Sequence, residues 1–125
     1  MAKKVKLIPV YTTRGDVGGF LCYPYIYSMQ GEWIGWVTAD QTVYSVHGHY
    51  VGKITKDPRI IRKREWGHNI TPLNPPPRPQ PIRPPAHVPL APQMSEVPLN
   101  MIDVFDEAPE LMPPIDWGDL REDMD

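Results

Sequence analysis

A repeat of 16 to 17 residues constrains the fold of this chain more than any other feature of its sequence. Three segments, residues 10–21, 26–37 and 43–54, align with one another without gaps. Each begins with a β-branched residue, a tyrosine and a serine or threonine, carries two glycines four positions apart, and ends with an aliphatic residue. Because self-similarity at a fixed period marks tandem copies of one structural unit, we expect three equivalent units here.

Each unit is predicted to be a β-hairpin. Its first arm is rich in β-branched and aromatic residues, which strands favour. Gly15, Gly31 and Gly48 supply the positive φ that a tight turn requires. The second glycine of each unit predicts a kink or a close backbone approach where units meet. The expected fold is therefore all-β, a radial, flower-like or propeller-like array of hairpins. The side chains expected to fill its core include the repeated tyrosines Tyr11, Tyr27 and Tyr44.

A fourth unit is only half visible in the sequence. Residues 58–62 can form one strand, but Glu65 stands where the turn glycine is expected. Radial arrays commonly protect their edges by joining the first strand to the last. We therefore expect the N-terminal strand, residues 5–8, to close the array beside Ile60 and Ile61.

Proline sets the boundary of the predicted hairpin domain. Ten of the 21 positions from Pro72 to Pro92 are proline, which has a fixed φ and no amide donor. Such a stretch favours polyproline II and acts as a semi-rigid spacer. The prediction is a hairpin domain over 1–68, a proline-rich linker over 69–93, and a disordered acidic and apolar tail over 94–125. Because a head this small is near the lower limit for a self-supporting core, a homo-oligomer is an open alternative.

Charge divides the chain into a basic body and an acidic tail. Residues 1–94 carry 12 Lys and Arg against 5 Asp and Glu, a net charge of +7. Residues 95–125 carry Arg121 against 10 acids, a net charge of −9. The split indicates either that the tail folds back on the body or that it recruits a separate basic partner.

Cysteine usage and the N-terminus favour a cytoplasmic protein. The single Cys22 excludes an internal disulfide, and no Cys/His spacing typical of zinc is present. The apolar stretch that follows the N-terminal lysines is too short for a signal peptide or a membrane span. We expect a soluble, cytoplasmic chain with no cofactor and no membrane association.

The chain resembles the four-fold beta flower proteins, a family of small bacterial proteins. The resemblance is carried by the three repeats, by residues 75–85, and by Asp116-Trp117-Gly118-Asp119-Leu120. It implies radially arranged hairpins followed by a proline-rich stretch and a short C-terminus with tryptophan and acids. The family carries no assigned activity, so the resemblance implies a fold and not a function. The fourth repeat departs from the family pattern in this chain.

The tail contains the residues that we predict to bind a protein partner. Short segments that mix acids with apolar side chains often order only when they dock. Large apolar side chains usually carry most of the energy of such contacts. The predicted anchors are Phe105, Ile115, Trp117 and Leu120. The alternative is an inert solubilising tail, against which the indole argues.

A rival interpretation places a ligand site on the head, where exposed aromatic residues would bind a glycan, a nucleotide or nucleic acid. Trp36 is the leading candidate, because its repeat equivalents Phe20 and Lys53 indicate a position that tolerates solvent. Trp33 and Tyr50 would complete this surface. In the alternative, these rings fill a small core.

The other chemistry-bearing residues favour structural roles. His47 and His49 flank a turn glycine and lack the further convergent ligands that a metal needs. The basic stretch over 56–64 is expected to be a solvated strand edge, with capture by the acidic tail as an alternative and nucleic-acid binding as the least favoured one. Because no nucleophile–base pair or phosphate loop is present, we expect no enzyme.

Together these features predict a non-catalytic adaptor. A rigid hairpin head would present the tethered acidic, aromatic tail to an unidentified protein partner, with the linker setting its reach. On this interpretation, a fragment that ends at Arg64 folds on its own but loses the partner.

Overall fold

The computed structural model describes residues 6–64 and 70–114. They form one curled antiparallel sheet of eight strands, whose order in space follows their order in the chain. A short helix, α1 (Val104–Glu107), and a single 3-10 turn (Pro109–Leu111) follow the last strand. The predicted all-β class is confirmed. The strands are β1 (Ile8–Tyr11), β2 (Val17–Cys22), β3 (Tyr25–Ser28), β4 (Trp33–Val37), β5 (Thr42–Ser45), β6 (Tyr50–Ile54), β7 (Ile60–Lys63) and β8 (Met101–Asp103).

Each sequence repeat forms one hairpin, β1–β2, β3–β4 or β5–β6. The turn residues Gly15, Gly31 and Gly48 have φ angles of 96°, 85° and 87°. The repeated serine or threonine serves the turn, since its hydroxyl accepts a hydrogen bond of 3.2 Å from the backbone N–H four residues later in all three repeats. These hydroxyls are therefore committed to the backbone.

The second glycine of each repeat lies where neighbouring hairpins touch. A Cβ at Gly35 would lie 2.6 Å from the carbonyl oxygen of Tyr44. A Cβ at Gly52 would lie 2.6 Å from the carbonyl oxygen of Ile61. Because a side chain cannot approach a backbone this closely, only glycine lets adjacent strands pack. The close approach predicted from the sequence is confirmed.

The first residue of each repeat builds the inner core. Val10, Ile26 and Val43 are 0% exposed, and so is Ile60, which continues the spacing of 17 residues. These four side chains belong to one aliphatic cluster. The next residue of each strand points to the opposite face, where a second cluster holds aromatic side chains. The repeated tyrosines are buried, as predicted: Tyr11, Tyr27 and Tyr44 are 5%, 3% and 8% exposed.

The fourth hairpin is completed by residues from the tail. β7 pairs with β8, with Ile61 opposite Asp103. The prediction that the N-terminal strand lies beside Ile60 and Ile61 is wrong for its described residues 6–8, because β7 pairs with β6 on one side and with β8 on the other. The end of β1 reaches this region through a hydrogen bond of 3.0 Å from the Tyr11 N–H to the Pro58 carbonyl. The tail pairs with β7 at the edge of the sheet because it supplies both a strand, β8, and side chains that fill the inner core.

Those side chains cap the inner core. Val104 is 0% exposed and Met112 is 3% exposed. Phe105 packs over the second arm of the first hairpin, where a Cβ at Gly19 would lie 3.2 Å from its ring. A Cβ at Gly35 would lie 2.5 Å from the Met112 methyl. The sheet glycines thus leave room for the tail, and the expectation of a disordered tail is wrong for residues 101–112.

Residues 70–97, which we call the proline strap, cross the hairpin turns instead of leaving the head. The Leu73 N–H donates to the Gly48 carbonyl and the Ile82 N–H donates to the Gly31 carbonyl, both at 3.0 Å. From residue 88 to residue 97, every third residue is half-buried, which is the period of polyproline II. The strap is therefore part of the head, and the expectation of a free spacer is wrong for it.

The described residues contain neither a membrane-spanning helix nor a metal-binding cluster. Among residues 6–64 and 70–114, no helix has the length and apolarity needed to cross a membrane. Within the same residues, no group of three or more His, Cys, Asp or Glu side chains could hold a metal ion.

Candidate functional site

A cavity of about 620 Å³ lies between the last strands of the sheet and the end of the proline strap. Strands β6, β7 and β8 contribute one side of it, and strap residues 95–97, together with Pro98, contribute the other. We call it the basic cavity. Its lining residues are Tyr50, Lys53, Thr55, Arg59, Ile61, Arg62, Lys63, Ser95, Glu96, Val97, Pro98 and Met101.

Most of the charged side chains that line the basic cavity are positive. Among the described residues, four Lys or Arg side chains and one acid, Glu96, line it, a formal net charge of +3. Lys53 lies on β6 opposite Ile61 of β7, so the two strands bring their cations to one place. From the sequence, the basic stretch is predicted to be a strand edge, and this stretch does not include Lys53. The register of β6 against β7 is what joins them.

An aromatic ring lies beside these cations. The Arg62 guanidinium carbon is 6.0 Å from the centre of the Tyr50 ring, at the outer limit of a cation–π contact. Tyr50 in turn meets Tyr44 edge to face, with ring centres 6.3 Å apart. Tyr50 is half-buried, so it is both fixed by the aromatic cluster and open to the cavity. Of the three head residues predicted to contact a ligand, Tyr50 is the one that lines this cavity.

Arg59 anchors the strap wall of the cavity. Its side chain is 6% exposed and forms a 2.8 Å ion pair with Asp57. The same guanidinium donates to the Ser95 carbonyl at 3.0 Å. Burial alone would raise the pKa of Asp57, but hydrogen bonds from Thr55 and Arg59 and the Arg59 charge outweigh it and leave that pKa below its usual range. Asp57 therefore stays ionised and holds the buried cation.

A polar relay ties the fourth hairpin to the first. Arg59 donates to the Thr13 hydroxyl at 3.0 Å, and that hydroxyl donates to Asp103 at 2.7 Å. The Thr13 N–H donates to the same carboxylate oxygen at 2.6 Å. Asp103 is 3% exposed, so both hydrogen bonds to its carboxylate lie in the interior. Arg59 was expected on a solvated edge, and its buried position is a correction.

The two tryptophans of the predicted head surface are buried. Trp36 is 8% exposed, stacks on Tyr44 with ring centres 5.0 Å apart, and donates its indole N–H to the Ser45 carbonyl. Trp33 is 5% exposed and donates its indole N–H to the Gly35 carbonyl. The prediction that Trp36 is exposed is wrong. The physical reason is the aromatic cluster itself, in which Trp36 stacks on Tyr44 and against which Ile82 of the strap packs.

The predicted partner-binding residues fall into two groups. Phe105 lies in the head, half-buried against the inner core. Ile115, Trp117 and Leu120 lie outside the described residues. The last described residue, Pro114, lines a smaller cavity of about 280 Å³ together with Phe105.

The basic body and the acidic tail meet through ion pairs. Arg14 pairs with Asp106 at 2.9 Å, and Arg64 pairs with Glu107 at 3.4 Å. Arg64 also donates to the Leu99 carbonyl at 3.3 Å. Capture by the tail, one of the alternatives left open for the basic stretch, therefore occurs with residues before Pro109. Exposed pairs of this kind contribute only about 0–1 kcal/mol each.

Comparison with known proteins adds no relative. No protein-family model, no curated protein and no solved structure matches this chain.

Proposed function

We propose that this protein is a non-catalytic adaptor whose β-hairpin head presents its acidic, aromatic C-terminal segment, residues 113–125, to a protein partner. The observation that carries the proposal is the anchoring of the chain just before that segment. Met112 is 3% exposed in the inner core, and Val104 is 0% exposed. The segment therefore starts from a fixed point on a rigid head.

The composition of the segment suits docking. Residues 113–125 hold five acids and Arg121, a net charge of −4. Ile115, Trp117 and Leu120 are spaced among these acids. Acids give solubility and steer the segment to a basic surface, and large apolar side chains supply most of the affinity once they are buried.

The structure changes the expected reach of this peptide. The strap is bound along the head and does not add to the reach of the peptide, of which residues 115–125 make up 11 residues. At about 3.5 Å per residue, an extended chain of this length reaches roughly 40 Å. The partner would bind close to the head, at a high effective concentration of the peptide.

Membership of the four-fold beta flower family is part of the proposal. The structure supports it with a fourth hairpin, β7–β8, added to the three that the repeats form. The cytoplasmic location is likewise proposed, and a cysteine content of one supports it.

A capture experiment tests the adaptor. Full-length protein, a variant ending at Pro114 and the Trp117→Ala variant are immobilised and exposed to native lysate. We expect one protein to be retained by the full chain, lost with the truncated chain, and weakened at least about tenfold by Trp117→Ala. A synthetic peptide of residues 113–125 should release it, and the same peptide with alanine for Trp117 should not.

Equal retention by the full chain and the variant ending at Pro114 would contradict the proposal. Phe105→Ala is a poor test, because it removes core packing together with any partner contact. The fragment ending at Arg64 is also unsuitable, because it lacks β8 and the residues that cap the core.

A further inference from the structure

We propose that the basic cavity binds a phosphate-bearing small molecule of nucleotide size. The basic cavity does not include the C-terminal segment among its lining residues, so this inference is independent of the adaptor proposal. It rests on four features of the cavity: its volume, its charge, its aromatic wall and the rigidity of its strap wall.

The volume fits a small organic molecule. Sites for cofactors and similar ligands measure about 300–1,000 Å³, and this one measures about 620 Å³. A bare inorganic anion would fill only a small part of it. A nucleic-acid strand would need a groove that continues along the surface, whereas this cavity ends at the strap wall formed by residues 95–98.

The charge of the lining indicates an anion. Lys53 comes from β6, and Arg62 and Lys63 come from β7, so cations reach the cavity from two strands. Asp57 neutralises Arg59 at 2.8 Å and Glu96 opposes the other cations, and the described lining together with Asp57 still carries a formal net charge of +2. A phosphate offers several oxygens and more than one charge, so it can accept from several cations at once.

The rest of the lining indicates an organic body beside the phosphate. The Tyr50 ring has the Arg62 guanidinium at 6.0 Å, and a planar base can stack on either group. Ile61, Val97 and Met101 add apolar surface. An inorganic phosphate would leave this apolar and aromatic surface unused.

The strap wall is fixed, so the cavity is formed before any ligand binds. Arg59 is 6% exposed on its side chain and is held by Asp57 at 2.8 Å. It donates to the Ser95 carbonyl and hydroxyl at 3.0 and 3.4 Å. Arg59 is therefore a positioning residue for residues 95–98, and preorganisation of this kind lowers the cost of binding.

Isothermal titration of the full-length protein tests the proposal. The probes are AMP, ATP, adenosine and inorganic phosphate, each at low and moderate salt. We expect saturable binding of AMP or ATP that weakens as salt rises. Adenosine and inorganic phosphate should each bind at least about tenfold more weakly, because each offers only one half of the contacts.

Two matched lysine variants locate the site. Lys53→Ala removes a cation of the lining and should weaken nucleotide binding about tenfold or more. Lys56→Ala removes an equally exposed cation three residues away that does not line the cavity, and it should leave binding unchanged. Tyr50→Leu should weaken AMP more than inorganic phosphate.

Several results would overturn the proposal. They are the absence of saturable binding by either nucleotide, equal affinity for AMP and inorganic phosphate, and equal effects of Lys53→Ala and Lys56→Ala. Binding of a single-stranded oligonucleotide with an affinity well above that of ATP would assign the cavity to nucleic acid instead. Loss of partner capture by the variant ending at Pro114, with nucleotide binding intact, would separate this site from the adaptor proposal.

Discussion

At the scale of single residues, the turn glycine of a repeat can have two functions: it adopts positive φ, and it leaves room for the strap. Gly31 and Gly48 need positive φ, and a Cβ at either would overlap a carbonyl oxygen of the strap, from Ile82 and Leu73 respectively. Gly15 has the same conformation, but a Cβ there would lie 3.9 Å from the Ala91 side chain, an ordinary contact. The sequence predicts the turn at all three glycines. It cannot predict the strap contact, because the strap was separated from the hairpins on composition alone.

Alanine at these glycines should distinguish the strain of positive φ in the turn from the loss of the strap contact. Gly15→Ala should cost about 1–2 kcal/mol, the strain of positive φ in a residue with a Cβ. Gly48→Ala should cost more, because it also displaces the Leu73 carbonyl. Urea unfolding measures both, and hydrogen exchange at the Leu73 amide reports the strap directly. Equal losses of stability with unchanged protection at Leu73 would show that the strap does not depend on Gly48.

Asp57 should make stability depend on pH in the acid range. Its pKa is lowered in the folded protein, so the unfolded chain binds the proton more tightly. Its contribution is therefore present above its usual pKa of about 4 and is lost as pH falls through the folded value. We expect Asp57→Asn to be less stable than the natural protein at pH 7 and to lose less stability between pH 5 and pH 2. Parallel stability curves from urea unfolding would contradict this assignment.

At the scale of elements, only the first strand of the fourth hairpin could be predicted from the sequence. Ile60 keeps the spacing of the buried first positions, so β7 was predictable. Its partner β8 was not predictable, because it contains no tyrosine and no glycine and begins 38 residues after β7 ends at Lys63. Pairing across such a distance leaves no local signature. Phe105, two residues after β8, is predicted from the sequence only as an anchor for a partner.

Removing the Val104 side chain should show that this element belongs to the core. Val104 is 0% exposed, as is Val10 in the first hairpin. Val104→Ala and Val10→Ala should each cost about 2 kcal/mol, from lost burial and the cavity left behind. Leu99→Ala, at a side chain that is 96% exposed, is the control and should cost little. If Val104→Ala behaves like Leu99→Ala in urea unfolding, residues 101–112 are not an integral part of the fold.

At the scale of the whole molecule, the strap and the polar relay join the four hairpins. The strap meets the third hairpin at Gly48, the second at Gly31 and the first beside Gly15. It then passes Arg59 before entering β8. Composition predicted the separate parts but not their association, because proline content fixes local conformation and does not encode which surface a segment covers. Trp36 was placed on the surface for the same reason.

This architecture makes the hairpin repeats insufficient by themselves. A fragment ending at Arg64 lacks β8, the side chains of Val104 and Met112, and the strap, whose Ile82 packs against the aromatic cluster. We expect it to lack a cooperative urea transition and the near-ultraviolet circular dichroism of packed tryptophans, whereas a variant ending at Pro114 keeps both. Adding a peptide of residues 70–114 to the short fragment should restore the signal, because the missing contacts are non-covalent. If the short fragment unfolds cooperatively at the same urea midpoint as the full chain, the three repeats form a stable head without the strap and β8.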